Sequence, residues 1–380
     1  MLSFVLAIYI RFQKTKKISA GLFIEKLGLA NVCILVWIVA NLIGYSQNSP
    51  MQKDQWDDIL SLRWILSFYS FVTLGRYISF NNKVIANGFF ALTVLLILSI
   101  VWQYYHPMGD NLYGGIERLR GFYHNPNHFS LAIILPLAFI LAWEVVNITS
   151  ERTFNKKNIF TILIFSLVTY GTFTRSAWIG VAATLFALFV LIKNSKFKLS
   201  LLTLPFLFLI FFLFNIFSFK ERLMYSFQIE KGNSSALRLQ IWNVNWNIFK
   251  DHPFFGVGFY ENVRLVPEYY TKLGLSGETF VSHAHNQFLQ ILAGSGLVGF
   301  IAYCSAFTLG IALFFKSYKS SRDLTDRKVA LGGLLVLIAY LASGLTECPM
   351  MLHESRAYLL LFVGMCTGYT LEIQHSFKVK

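Results

Sequence analysis

The sequence predicts an all-α, polytopic membrane protein with about ten transmembrane helices, within a range of about 10–12. Of its 380 residues, 55% are hydrophobic and only 14% are charged, and the mean hydropathy is +0.54. Soluble domains carry about 25% charged residues, so a soluble chain of this length could not cover its surface. The apolar residues also come in blocks of about twenty, the length that crosses about 30 Å of hydrocarbon. We therefore expect residues 1–380 to form a single membrane domain.

Ten apolar blocks predict ten spans, and one long loop separates the seventh from the eighth. The loop, residues 219–286, holds seven basic and six acidic residues and is nearly neutral. Loops of this length are usually functional or disordered, and its helix signals favour a functional loop. The predicted spans are 27–45, 59–76, 85–104, 128–146, 159–173, 177–193, 199–218, 287–315, 329–346 and 355–372.

Basic residues are concentrated in alternate connections, which carry 19 of the 33 in the chain. The positive-inside rule places these connections and both termini in the cytoplasm, and the 219–286 loop on the periplasmic side of an inner membrane. This placement also explains the formal net charge of +14, so no nucleic-acid partner is expected. The 19 residues are Arg11, Lys14, Lys16, Lys17, Arg76, Lys83, Arg152, Lys156, Lys157, Lys193, Lys196, Lys198, Lys316, Lys319, Arg322, Arg327, Lys328, Lys378 and Lys380.

The long loop contains an amphipathic helix signal. Ser234 and Ser235 can cap a helix that begins near Ala236, and Asp251-His-Pro with the following glycines ends it. A helix with an aromatic face just outside a bilayer tends to lie in the membrane interface. The residues that share this predicted face are Arg238, Trp242, Trp246 and Phe249.

Four groups of polar residues lie at helix ends on the predicted periplasmic side. In the first, Arg118 and Arg120 precede a glycine turn, Pro126 holds Asn125 extended, and Asn127 is expected to cap the next helix. Helix capping and interface anchoring explain this group as well as recognition of a sugar or phosphate does.

The second and third groups each present an arginine. Arg175 occupies an almost loopless connection between two apolar segments, where an arginine either snorkels to the surface or pairs with an anion such as a lipid phosphate. Arg238 lies one helical turn before Trp242. The alternative to a binding role for Arg238 is that its side chain is simply solvated.

The fourth group ends at Asn286, immediately before the span at 287, and contains His283 and His285. Two histidines with few carboxylates nearby do not complete a zinc site. Imidazole titrates near working pH, so a general base is the better chemical role. A helix-entry histidine bound to backbone is the alternative.

Together the four groups predict one chemistry. Two or three arginines can hold a diphosphate through bidentate, charge-assisted bonds, and a histidine nearby can deprotonate a hydroxyl. Their position at the membrane surface suits a diphosphate carried on a lipid. The expected reaction is glycosyl transfer from a lipid-diphosphate donor to a hydroxyl.

Four sequence motifs, taken in their order along the chain, resemble the signature of the O-antigen ligase/polymerase superfamily. The resemblance covers about residues 115–305. The order and spacing of the set make the signal specific. The motifs are Arg120-Gly-Phe-Tyr-His-Asn-Pro-Asn127, Thr174-Arg-Ser-Ala-Trp178, Arg238-Leu-Gln-Ile-Trp242 with Asp251-His-Pro-Phe-Phe-Gly-Val-Gly258, and His285-Asn-Gln-Phe-Leu-Gln-Ile-Leu-Ala-Gly-Ser-Gly-Leu-Val-Gly299.

The resemblance implies a GT-C-like membrane fold and an O-antigen ligase that moves glycan from undecaprenyl diphosphate to a sugar hydroxyl of lipid A–core. It implies that Arg175 and Arg238 bind the donor diphosphate and that His285 is the catalytic base. It implies an enzyme that needs no metal and no other cofactor. Secondary roles are expected for Arg120, Asn127, Trp242, His283 and Asn286.

Two other functions stay open on the sequence. A polymerase that joins lipid-diphosphate-linked repeat units shares the donor site and differs in acceptor. A transporter or flippase also has about ten spans, but it would be expected to show inverted repeats, broken helices and charges near mid-membrane. The outer loop 346–356, which includes Glu347, His353 and Arg356, is interpreted as an interface loop or as a cover over the acceptor.

Overall fold

The structure is a computed structural model that describes residues 27–47, 56–59, 62–107, 117–198, 234–275 and 281–378. Within these ranges the regular elements are all helical. A π-helical turn, Asn147–Glu151, extends the fourth helix. The helices that build the bundle and the loop are α1 (Leu29–Ser46), α2 (Trp64–Gly75), α3 (Asn82–Tyr105), α4 (Pro126–Val146), α5 (Lys156–Gly171), α6 (Arg175–Leu191), α7 (Ser234–Asp251), α8 (Glu261–Arg264), α9 (Val266–Lys272), α10 (Gln287–Ser320), α11 (Leu324–Ser343) and α12 (His353–Lys378).

Every predicted span that falls in the described ranges coincides with a helix, and the span at 199–218 lies outside them. Four helices of the described chain are long and apolar enough to cross a membrane: α1, α3, α4 with its π-helical turn, and α10. Helix α6 is a shorter apolar helix. The all-α polytopic membrane fold is thereby confirmed, while the count of about ten spans stays a prediction.

Helix α4 is the centre of the bundle. Its apolar window is 94% buried, whereas those of α1, α3 and α10 are 33%, 28% and 22% buried. Helices α5, α6, α11 and α12 pack around α4. Large apolar side chains such as Leu98, Leu167 and Phe186 are exposed on the outer helices. An apolar exterior around a packed helix is the arrangement that a lipid environment requires.

Helix α10 is broken at Gly296, which adopts φ +62° and ψ −171°. A non-helical residue inside an apolar helix leaves backbone groups that must find partners. The segment 253–258 lies in the break and supplies them. The backbone bonds are Leu297 N to Pro253 O at 2.8 Å, Val298 N to Phe254 O at 3.0 Å, Val257 N to Ala293 O at 3.2 Å and Gly258 N to Gly294 O at 2.7 Å. The break is therefore closed by the protein's own backbone, which anchors the long loop on α10.

Glycines make this close approach possible. Gly256 has φ +65°, and a Cβ on it would collide with the backbone of Gly294 and Gly296. Only a residue without a side chain fits where two backbones touch and φ is positive. The glycines of the motif that ends at Gly258 therefore meet those of the motif that ends at Gly299 in one packing contact.

We predict that Gly256→Ala destabilises the protein by about 2–4 kcal/mol, because a strained φ and a steric clash act together. The measurement is the thermal midpoint of purified protein in detergent. Gly88→Ala is the control, because Gly88 lies inside α3 with open space around it and should be neutral or slightly stabilising. Equal effects of the two substitutions would contradict the close-packing explanation.

Candidate active site

The buried carboxylate of Glu347 is the centre of the site, and it is only 1% exposed. Its Oε1 lies 2.8 Å from His285 Nδ1 and accepts a bond from the backbone N of Cys348 at 3.1 Å. Its Oε2 accepts a bond from Asn127 Nδ2 at 3.0 Å and lies 3.7 Å from Arg238 Nη2. One acidic side chain therefore joins four chain segments that are far apart in sequence.

The two histidines lie on the same side of this carboxylate. His283 Nε2 is 3.4 Å from Glu347 Oε1, and the two imidazole rings are 4.3 Å apart. The backbone N of His285 donates to His283 Nδ1 at 3.2 Å, so the ring proton of neutral His283 belongs on Nε2. An ionised carboxylate only accepts, so the proton of neutral His285 is assigned to Nδ1, which leaves its Nε2 as an acceptor. Ser282 Oγ lies 3.3 Å from that Nε2.

His285 is held in a strained backbone conformation with φ +46°. A left-handed conformation is uncommon for a residue other than glycine, and it persists only where the surroundings enforce it. Gln290 provides part of that enforcement, because its Oε1 accepts from Ala284 N at 2.9 Å and its Nε2 donates to Phe259 O at 3.0 Å. The imidazole is thus fixed from the backbone as well as from Glu347.

Asn286 caps α10. Its side chain accepts bonds from Phe288 N and Leu289 N, and its Nδ2 donates to Leu345 O at 3.2 Å. The backbone N of the next residue, Gln287, donates to Gly344 O at 2.7 Å. Asn286 therefore has a structural role that joins the start of α10 to the segment that carries Glu347.

The first polar group contributes Asn127, but not as the helix cap that the sequence predicted. Asn125, extended before Pro126, caps α4 by accepting from Asn127 N. Asn127 has the second position in the helix, so its side chain is available to Glu347. Since an asparagine before proline is already extended, it meets the backbone requirement of a cap better than a residue inside the first turn.

Arg118, rather than Arg120, is bonded into this network. Its Nη2 donates to Asn127 Oδ1 and to Thr174 Oγ1, each at 3.0 Å. Arg120 is 2% exposed and forms an ion pair with Glu117 at 3.1 Å. Since Arg118 orients Asn127, which bonds Glu347, it is linked to the site through one intermediate.

Arg175 begins α6 and contacts the helix that carries Arg238. Its Nη1 donates to Ser235 Oγ at 3.1 Å, and Ser235 is three residues, or about one turn, before Arg238. Phe173, two residues before Arg175, has φ +49°. The structure therefore brings the two predicted diphosphate-binding arginines to the same end of α7, beside the Glu347 centre.

Helix α7 ends at Asp251 as predicted and begins at Ser234. Its buried stripe consists of Ile241, Val244 and Ile248, which pack with α9 and α10. Trp246 is 47% exposed, and Phe249 packs on it at 5.3 Å. Trp242 is partly buried, and its Nε1 has no hydrogen-bond partner among the described residues. The indole N–H of Trp242, one turn after Arg238, is therefore a buried donor without a partner in the described residues.

Burial and the neighbouring charges set the protonation of the centre. Burial alone would raise the pKa of Glu347, but the His285 bond and the nearby His283 and Arg238 lower it to about 2. Burial lowers the pKa of His283 to about 4, against the opposing effect of Glu347. At neutral pH the centre therefore contains an ionised carboxylate, a neutral His283 and a cationic arginine.

The side chains of His283, His285 and Glu347 also form a set that could hold a metal ion, since their ligand atoms all lie within 4.8 Å of one another. Two imidazoles and one carboxylate are zinc-type ligands. Arg238 Nη2, at 3.7 Å from the same carboxylate, adds a positive charge that opposes a dication there. The metal-free expectation stays a prediction.

Part of the chain matches a known protein family. Residues 160–304 match the O-antigen ligase family. Over 144 residues the chain is 26% identical to a protein named O-antigen ligase from Pseudomonas aeruginosa. The resemblance to the O-antigen ligase superfamily is confirmed. The alignment with the Pseudomonas protein covers 38% of this chain and 32%, about a third, of that protein.

The O-antigen ligase match includes Arg175, Arg238, His283 and His285, but it ends before Glu347. From the sequence, Glu347 was expected in an outer loop with no role in catalysis. The only signal available was an acidic residue beside an apolar span. Arg118 was named in the first polar group but not ranked above Arg120, because two arginines two positions apart cannot be distinguished without the fold.

We predict that the stability of this O-antigen ligase-like protein falls as the pH drops from about 6.5 toward 4, partly because of His283. A group that binds its proton less readily in the folded state contributes full stability above its unfolded pKa and loses it below. His283→Gln should therefore make the fall in thermal midpoint over this range shallower. The control is His106→Gln, because His106 is exposed. An unchanged slope in His283→Gln would show that His283 does not drive the loss.

Proposed function

We propose that the protein is a membrane glycosyltransferase of the O-antigen ligase type. It transfers a glycan from undecaprenyl diphosphate to a sugar hydroxyl of lipid A–core, on the periplasmic face of the bacterial inner membrane. The observation that carries the proposal is an imidazole held by a buried carboxylate, with Arg238 on the other oxygen of that carboxylate.

His285 is suited to act as the general base. Glu347 accepts the Nδ1 proton at 2.8 Å and stabilises the imidazolium that forms when Nε2 takes a proton. Ser282 Oγ, 3.3 Å from Nε2, marks where an acceptor hydroxyl would approach. The strained backbone of His285 and the carboxylate of Glu347 together fix the direction of the lone pair on His285 Nε2.

Arg238 is suited to hold the donor diphosphate. An arginine has five N–H donors, and among the described residues Arg238 forms one long ion pair with Glu347 and no side-chain hydrogen bond. Its side chain is 17% exposed, so its remaining donors are reachable from outside. Arg175, attached to the same helix end through Ser235, would provide the second cation.

The reaction is a single inverting displacement. The acceptor oxygen attacks the anomeric carbon, and its proton passes to His285 Nε2. The bond from the anomeric carbon to the diphosphate oxygen breaks, and the negative charge that develops on the lipid diphosphate is stabilised by Arg238 and Arg175. No metal or other cofactor is needed, because the arginines neutralise the leaving group and the imidazole takes the proton.

We predict that His285→Ala and Arg238→Gln each lower glycan transfer by at least about 10²-fold. The measurement is transfer from a lipid-diphosphate glycan to lipid A–core by purified protein, in a buffer that contains EDTA. His106→Ala and Arg327→Gln are the matched controls, since both residues lie outside the site. Near wild-type turnover of His285→Ala would eliminate it as the base, and loss of wild-type activity in EDTA would indicate a metal.

We predict that Glu347→Gln also reduces turnover by about 10–100-fold or more, because an amide does not hold the imidazole in one tautomer with a compensating charge.

Glu268→Gln is the control for this substitution, since Glu268 is an exposed carboxylate on α9 and outside the site. Glu347→Asp should recover part of the rate. A rate that Glu347→Asp does not recover at all would assign Glu347 a purely structural role.

A further inference from the structure

The connection between α4 and α5 presents cations that no acidic side chain balances. Arg152, Lys156 and Lys157 are exposed, and no carboxylate in the described part of the chain lies within 4.0 Å of their nitrogens. The acidic residue of this connection, Glu151, is paired with Lys328 at 2.5 Å. The connection therefore carries a local positive charge, which attracts an anion from outside the chain.

A buried carboxylate holds this connection in place from the inside. Glu144 is 1% exposed, its Oε1 accepts from Asn155 N at 2.6 Å and its Oε2 accepts from Asn158 Nδ2 at 2.7 Å. Arg152 follows the π-helical turn that extends α4 and has φ +56°. A left-handed residue other than glycine persists only where its surroundings enforce it, and π-helical turns often occur at functional sites. The basic connection is thus fixed before a ligand arrives.

An open apolar groove of about 460 Å³ starts at this basic connection. Lys156 belongs to both features, and Arg152 lies in the chain between two residues that line the groove. Leu163, which also lines it and is 56% exposed, is two helical turns after Lys156, or about 10 Å along α5. Cations at one end of an apolar groove match the headgroup and the acyl chain of a lipid. The lining residues are Ile148, Phe154, Lys156, Ile159, Phe160 and Leu163.

The groove lies at the end of α4 opposite the Glu347 site. Asn127, which bonds Glu347, is the second residue of α4, whereas Ile148 comes two positions after its last residue. The 21 residues of α4 are about 30 Å long, which is the thickness of the hydrocarbon core. The positive-inside rule predicts that this end faces the cytoplasm, and the lipid surface on that side is negatively charged. The groove is therefore placed where an anionic lipid headgroup is available.

We propose that this groove binds one anionic phospholipid, with its phosphate on Arg152 and Lys156 and one acyl chain along α5 as far as Leu163. The phosphate is assigned to these two cations because Lys157 already donates to Asn87 Oδ1 at 2.7 Å. A soluble anion would leave the apolar lining uncovered, and a zwitterionic lipid would bring a second cation toward the first two. The bound lipid joins the end of α4 to α5 and stabilises the central helix. The site is independent of the proposed glycosyl transfer.

The test is the affinity of the first bound phosphatidylglycerol on the purified full-length protein in detergent, by native mass spectrometry. Each basic residue near an anionic lipid strengthens binding about fivefold. Arg152→Gln and Lys156→Gln should therefore each weaken binding about fivefold, and the double variant about 30-fold. Phosphatidylcholine should bind the wild type at least about tenfold more weakly than phosphatidylglycerol. The control is Lys316→Gln, because Lys316 is an exposed lysine of α10 outside the groove.

A substitution that leaves the cations intact tests the acyl-chain part of the groove. Leu163→Trp fills the space of the chain and should weaken phosphatidylglycerol binding at least about fivefold. Leu167→Trp is its matched control, since Leu167 is 64% exposed on the same helix and does not line the groove. Saturating phosphatidylglycerol should raise the thermal midpoint of the wild type and of Leu167→Trp, because a ligand of the folded protein stabilises it, and it should raise that of the double variant less.

Equal affinities for phosphatidylglycerol and phosphatidylcholine, or an unchanged affinity in the double variant, would overturn the proposed site. Displacement of phosphatidylglycerol by millimolar inorganic phosphate would indicate a site for soluble anions and would overturn the lipid assignment. Loss of binding in the double variant and in Leu163→Trp, with both controls unchanged, would sustain it. The same pattern in a protein that transfers no glycan would sustain the lipid site and refute the proposed function alone.

Discussion

A single buried negative charge, the carboxylate of Glu347, constrains the rest of the site. A carboxylate that is 1% exposed is stable only with its bonds made, and removal of one partner of a buried pair typically costs about 3–5 kcal/mol. Its partners come from α4, from α7 and from the segment before α10, while Glu347 itself follows α11. These elements must therefore meet at one point for the fold to be stable, and the geometry of the imidazole follows from the same requirement.

Strain in the backbone is a second constraint on the site. His285 and Phe173 both have positive φ, at a cost of about 1–3 kcal/mol each. The bonds of Gln290 and Asn286, together with the docking of segment 253–258 in the break of α10, hold this part of the protein in place. An imidazole held in this way needs little reorganisation when a substrate arrives, which is the condition under which fixed dipoles are most effective.

The sequence predicted the membrane class and the positions of the described helices because these depend on local hydrophobicity, which a window of about twenty residues contains. It also selected Arg175, Arg238 and His285 as candidates, and the structure places all three around the end of α7 and Glu347. The span predicted at 199–218 lies outside the described residues, so the count of about ten spans stays a prediction. Glu347 and Arg118 could not be selected, because their contacts join residues up to 220 positions apart and leave no local pattern. The face of α7 was incompletely predicted for a related reason: its buried stripe, Ile241, Val244 and Ile248, is set by α9 and α10 rather than by the membrane.

Glu347 and Arg356 are both buried, at 1% and 4% exposed, and they differ in how their charge is compensated. Glu347 meets its partners, His285, Asn127 and Arg238, within its own chain. Arg356 has only neutral partners in the described chain, so its charge is balanced by hydrogen bonds and not by a carboxylate. Partners inside the chain suit Glu347, because the imidazole that it orients must keep its geometry. The same physical cost of burying charge is therefore met in two different ways on this side of the bundle.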